Sequence, residues 1–187
     1  MTGTPSREQV LAIVEARVAN QNLRRHMLAT EAIMRALAGR LDADPELWGL
    51  AGLAHDLDCE DTADDFSQQG IVAAETLREL GAPETVAHAI MAHNPATGVV
   101  AESRFDVALL ATDQLSGLIT AATLVRPEKD LAGVSLKSVR KRFRESAFAR
   151  GVDREAIVRC GELGLELEDF MAIGLEAMQG IAAQLGL

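Results

Sequence analysis

The chain has 187 residues, a formal net charge of −10, and a composition that is 48% hydrophobic but only 3% aromatic, with no tyrosine. That length suits one compact body burying roughly two-thirds of its surface, and the acidity excludes a broad electrostatic footprint for polynucleotide. Abundant Ala and Leu favour helices over sheets.

Met1 to Arg7 is polar, with no apolar stretch behind a basic segment, so no secretory signal is expected and the chain is expected to stay in the cytoplasm. Ser6-Arg7-Glu8-Gln9 has the capping-box pattern, and Val10, Ile13, Val14 and Val18 follow at helical spacing, predicting a first helix over about residues 8–20. A second helix, over about 23–41, places Leu23, Met27, Ile33, Met34, Leu37 and Leu41 on a broad apolar face, with His26 in its first turns. Asp44-Pro45-Glu46 supplies an N-cap and a first-turn proline for a third, over about 46–57. Its Gly49 and Gly52 allow another helix to approach closely, and it ends in His55-Asp56. An acidic loop follows from Asp58 to Asp65.

A fourth helix over about 67–80 stops at Gly81, and Pro83 opens a fifth that carries His88 and His93 and ends near Asn94-Pro95. The sixth, over about 103–125, is nearly apolar from Val107 to Val125 and long enough to cross a bilayer. Asp113 and Gln114 sit inside that window and its flanks lack aromatic anchors, so it reads as a central core helix. Beyond it come a basic amphipathic helix near 135–144, a short piece to Arg150, an Asp153-capped helix, and a terminal helix over about 168–187 whose Met171 and Met178 read as core. No internal repeat and no convincing alternating pattern is present, so the expected class is all-α. Cys59 and Cys160 are isolated, which suits reduced thiols.

Asp113 is the most informative residue on physical grounds. Leu109, Leu110, Leu115, Leu118 and Ile119 around it leave little polar face, which predicts burial. A buried carboxylate costs several kcal/mol unless it is paired or coordinates a cation. An ion pair and a metal explain it equally well at this point. His55-Asp56 is a weak signal alone, because neighbouring helical residues diverge by about 100° and reach one ion only from a helix end or flank. His26 alone reads as a partly buried histidine. Together the set supplies two imidazoles and two carboxylates, a mixed N/O shell that suits Mn, Fe, Co, Ni or Zn and that neutralises a dication.

The order His26, His55-Asp56, Asp113, all on predicted helices, resembles the H…HD…D pattern of HD-domain proteins, a superfamily of helical metal-dependent phosphohydrolases. GLAGLAHDLD at 49–58 is similar to the form the motif takes in small bacterial HDIG-type members. LVRPEKDLAGVSLKSVRKRF at 124–143 and FARGVDREAI at 148–157 resemble the C-terminal part of one small bacterial subgroup. The resemblance implies a single HD-type helical domain over 1–187, with a metal-binding core over about 20–125 and a C-terminal helical extension over about 126–187. It also implies that His26, His55, Asp56 and Asp113 ligate one divalent metal. Such proteins often hold a second ion through extra histidines, and Gln69 falls where one of them often stands, so one ion is expected rather than two.

His88 and His93 lie five residues apart, about 140° around a helix, and cannot both face one small site. His93, beside Asn94-Pro95, matches the family position better and is expected in or next to the ligand shell; His88 is left to substrate phosphate or to packing. The basic run Lys137, Arg140, Lys141, Arg142 and Arg144 reads as a solvated face, or as a place where Lys137 or Lys141 folds back to hold a substrate phosphate.

The resemblance therefore implies a phosphohydrolase acting on a phosphomonoester or nucleotide through metal-activated water, with Asp56 orienting that water or accepting its proton. A non-catalytic nucleotide-binding sensor of the same fold is the alternative that Gln69 favours, and a helical interaction module with structural histidines is the third reading. The expected partner is a small phosphorylated molecule, with neither polynucleotide nor membrane.

Overall fold

A computed structural model describes residues 3–187; Met1 and Thr2, with which the segment read for a leader begins, lie outside the described residues. It is all-α. Among the described residues ten α-helices and no strand are present: α1 Arg7–Arg17, α2 Gln21–Arg40, α3 Pro45–Ala54, α4 Ile71–Glu79, α5 Glu84–Ala92, α6 Arg104–Leu124, α7 Leu136–Arg144, α8 Arg154–Val158, α9 Leu167–Gly180 and α10 Ala182–Leu185. Helix α2 lies against α3, α6, α9 and α10, while α6 packs on α2, α5, α7, α8 and α9, so these two long helices form the middle of the fold.

Local chemistry sets most of the boundaries. Both halves of the capping box form, with Ser6 Oγ accepting from the Gln9 amide and the Gln9 side chain accepting from the Ser6 amide at 2.8 Å. Asp44 accepts from the Glu46 and Leu47 amides at the start of α3, and Ser103 and Asp106 build a second capping box on α6. The apolar window of α6 has a mean hydropathy of 1.4 and is 67% buried inside the fold, as a core helix requires.

Three boundaries differ from the sequence expectation. Helix α3 stops at Ala54 because His55 Nδ1 donates to the Gly52 carbonyl at 2.9 Å and takes the acceptor that the Asp56 amide needs to extend the helix. The chain then tightens, Leu57 N donating to Ala54 O three residues back. Helix α4 begins only at Ile71, since Gly70 adopts the left-handed conformation at φ +93. The terminal helix breaks at Ile181, after Gly180, into α9 and α10.

Glu31, buried in α2, accepts from Arg7 of α1 at 2.6 and 2.9 Å and from Arg35 at 2.9 Å, and Arg35 reaches on to Glu46 of α3 at 2.7 Å. The network ties the first three helices together and pairs the buried Glu31 carboxylate with two guanidiniums. Trp48 of α3 stacks on Phe105 of α6 with ring centroids 5.3 Å apart. Gly52 lets the backbone of α3 lie close against that of α2, a Cβ there lying 2.9 Å from the Glu31 backbone. Gly52→Ala must therefore move one helix. Chemical denaturation is expected to show a loss of about 3 kcal/mol or failure to fold, and a loss below about 0.5 kcal/mol contradicts the packing described.

Candidate metal centre

Four elements converge on one point. Helix α2 contributes His26, the turn after α3 contributes His55 and Asp56, the end of α5 contributes His93, and α6 contributes Asp113. His26 Nε2 lies 2.9 Å from Asp113 Oδ1, 3.6 Å from Asp56 Oδ2 and 3.2 Å from His55 Nε2. His55 Nε2 is 3.4 Å from Asp56 Oδ2 and 3.6 Å from Asp113 Oδ1. His93 Nε2 approaches the other Asp56 oxygen, Oδ1, at 3.5 Å. The ligating atoms of His26, His55 and Asp56 all lie within 4.8 Å of one another.

The outer hydrogen bonds fix which ring nitrogens face inward. His55 Nδ1 donates to Gly52 O, and His93 Nδ1 donates to Ile90 O. Ser116 gives its hydroxyl proton to the Asp113 carbonyl at 2.9 Å, so its oxygen accepts from His26 Nδ1 at 3.0 Å. All three Nε2 lone pairs then point at carboxylate oxygens. That is an assembly of acceptors, and only positive charge at its centre makes it stable. The donor set fits a dication: three imidazole nitrogens, two carboxylates, and a backbone or hydroxyl partner behind each ring.

Without a metal, a proton serves instead. Burial by itself would lower the pKa of His55, but the Asp56 and Asp113 carboxylates outweigh it and hold the imidazole well above its ordinary range. Burial pushes Asp56 and Asp113 upward, and the histidines beside them win by a wide margin, so both stay well below the usual carboxylate range. Asp113 is less buried than its leucine neighbours suggested, its side chain being 15% exposed, and His26 is 24% exposed. The cluster is thus closed on the α3 and α5 side and open beside α2 and α6.

Gln69 has an active role. Its Nε2 donates to Asp56 Oδ1 at 2.6 Å, on the side of Asp56 that faces His93, leaving Oδ2 for the His26 and His55 side. Asp58 lies fully buried, its carboxylate accepting from the Gly70 and Ala73 amides at 2.8–3.0 Å; it caps α4 in place of the side chain that Gly70 lacks. Asn94 donates to the Phe66 and Gln69 carbonyls and holds the Gln69 loop against the end of α5. Ser116 was missed from sequence, although its place three residues after Asp113 is the spacing that puts two helical residues on one face.

The structure does not bring His88, Lys137 or Lys141 to the cluster. His88, 40% exposed, pairs through Nδ1 with Asp106 at 3.1 Å near the start of α6. Helix α7 turns its apolar residues, Val139 above all, into the core, which sends its cations outward. Lys141 is 73% exposed and 3.9 Å from Glu145, and it lines a surface cavity with Lys137, Arg140 and Arg144 that contains none of the clustered residues. Cys59 and Cys160 carry free thiols that burial pushes up to about 11.

An all-helical fold that brings His26, His55 and Asp56 together, with Asp113 and His93 beside them, presents a set of groups that could hold a metal ion. The particular likeness follows from comparison: residues 23–111 match the family model of the HD domain. His26, His55, Asp56 and His93 lie inside the match, and Asp113 follows two residues after it. No curated protein and no solved structure matches the chain.

Proposed function

We propose that the chain is a metal-dependent phosphohydrolase that cleaves a phosphomonoester or nucleotide at the His26–His55–Asp56–Asp113 cluster. The observation that carries this reading is the convergence of His26, His55 and Asp56, with Asp113 Oδ1 2.9 Å from His26 Nε2, a mixed nitrogen and oxygen set suited to a dication. A divalent cation there supplies Lewis acidity, for the phosphoryl oxygen and for the attacking water. His26, His55, Asp56 and Asp113 would hold it, and His93 supports Asp56 from the far side. Asp56 has Oδ1 held by the Gln69 amide, which leaves Oδ2 to orient a water. Its low pKa makes it a better hydrogen-bond acceptor for that water than a lasting store for the proton.

Hydrolysis measured with added Mn²⁺ or Co²⁺ across alkyl phosphates, sugar phosphates and nucleotides tests the reading. Product well above that of an Asp56→Ala variant supports it. Binding with no turnover above that variant supports the non-catalytic sensor instead, the reading that Gln69 in place of a histidine favours.

Metal uptake carries a pH signature. The folded-state pKa of His55 is raised above 6.5, so in the metal-free protein its stabilising contribution is fully present below about 6.5 and lost as pH rises through the raised value. A bound dication replaces that proton. Calorimetry in buffers of different ionisation enthalpy is expected to show proton release on loading, with affinity rising with pH until the raised pKa is passed. Thermal melts are expected to show metal restoring the stability that the metal-free protein loses on the alkaline side. Uptake without proton release at neutral pH contradicts this picture.

A further inference from the structure

The open side of the cluster leads into a groove of about 400 Å³ between α2 and α6, closed over by the Leu185–Leu187 segment. His26 is common to the cluster and the groove, so a molecule seated there touches the metal centre through the wall they share. The size lies in the range of small-molecule sites, about 300–1,000 Å³.

One wall residue is chemically unsatisfied. Arg7, Arg35 and Arg78 are each paired with a glutamate, whereas Arg25 lines the groove with its Nε buried and without a hydrogen-bond partner among the described residues. The segment above packs directly on the guanidinium, a Cβ at Gly186 lying 2.6 Å from Arg25 Nη2. The Nε is sealed from the groove, so an anion there meets the terminal Nη groups, and the planar fork of the guanidinium suits phosphate. The remaining wall is chiefly apolar: Ala29, Gly117, Ala121, Leu124 and Leu185, with only Asn22 and Thr120 as neutral polar side chains. No Phe, Tyr or Trp lines the groove to stack on a nucleobase, and few groups there meet sugar hydroxyls.

We infer that this groove is the substrate site, that Arg25 grips the phosphoryl oxygens beside His26, and that the substrate is a small phosphomonoester with an apolar body. The inference rests on the reading of the His26 cluster as a metal centre, and its test separates the two. Binding of hexyl phosphate, AMP and inorganic phosphate is measured by calorimetry on the full chain, both metal-free and Mn²⁺-loaded, with metal content determined separately. Hexyl phosphate is expected to bind about tenfold more tightly than inorganic phosphate or AMP. Arg25→Met is expected to weaken it about ten- to a hundredfold in both forms, with Mn²⁺ uptake and melting temperature unchanged, and Arg25→Lys to recover part of the loss. Leu124→Gln, at a position 49% exposed and so tolerant of change, is expected to weaken hexyl phosphate several-fold while leaving inorganic phosphate as before. Wild-type affinity in Arg25→Met overturns the phosphate grip. AMP binding more tightly than hexyl phosphate, or Leu124→Gln without effect, overturns the apolar pocket. If the wild-type chain takes up no Mn²⁺, the metal reading alone falls, because the contribution of Arg25 is still read in the metal-free protein.

Discussion

Asp113→Ala is expected to bring bound metal from about one equivalent to less than a tenth and to abolish measurable hydrolysis, while the fold persists. Asp113 is the only carboxylate that α6 brings to the cluster, and its Oδ1 approaches both His26 Nε2 at 2.9 Å and His55 Nε2 at 3.6 Å. Removing it leaves a single carboxylate, Asp56, to balance a dication. Loss of an outer partner already weakens metal binding about 10–100-fold, so loss of a direct ligand should exceed about a hundredfold. The leucines that anchor α6 are untouched, so helicity should survive. Metal analysis after loading and dialysis, together with circular dichroism, reads both halves. Full occupancy in the variant would show that Asp113 serves only as the ion-pair partner of His26.

Gln69→His is expected to raise stoichiometry from one metal to two. The amide of Gln69 already lies 2.6 Å from Asp56 Oδ1, and His93 Nε2 faces the same oxygen at 3.5 Å. An imidazole at 69 would replace a neutral donor, which repels a cation, with a lone pair that attracts one. Asp56 could then bridge two ions, with His93 and the new histidine holding the second. The carbonyl of residue 69 still accepts from Asn94, which keeps the loop in place. Metal titration is expected to show a second equivalent binding at least about a hundredfold more tightly than any second ion on the wild type. A single equivalent in both proteins would show that the space around His93 is closed to an ion.

Much of the fold could be read from local chemistry. The caps at Ser6, Asp44, Ser103 and Asp153 and the breaks at Gly81 and Pro83 act within a few residues, so the sequence shows them directly. The shortening of α3 could not be read, because it follows from where the His55 ring points. The late start of α4 depended on a buried carboxylate twelve residues earlier, Asp58, whose burial no local pattern announces. The basic face of α7 suited solvent slightly better than substrate by its sequence, and the neighbours of Val139 decided for solvent.

The sequence by itself determined the class of fold, the helices, and the types of group that make up the cluster, since those depend on periodicity, caps and donor chemistry. Only the tertiary structure decided which histidines meet. His93 joins the cluster and His88 goes to Asp106 because α5 presents opposite flanks to α3 and α6. The tertiary structure also assigned Gln69 to Asp56 and left the Arg25 Nε, beside His26, without a hydrogen-bond partner among the described residues. Such pairings depend on how far apart side chains end up after helices dozens of residues apart have packed, and no short-range pattern carries that distance.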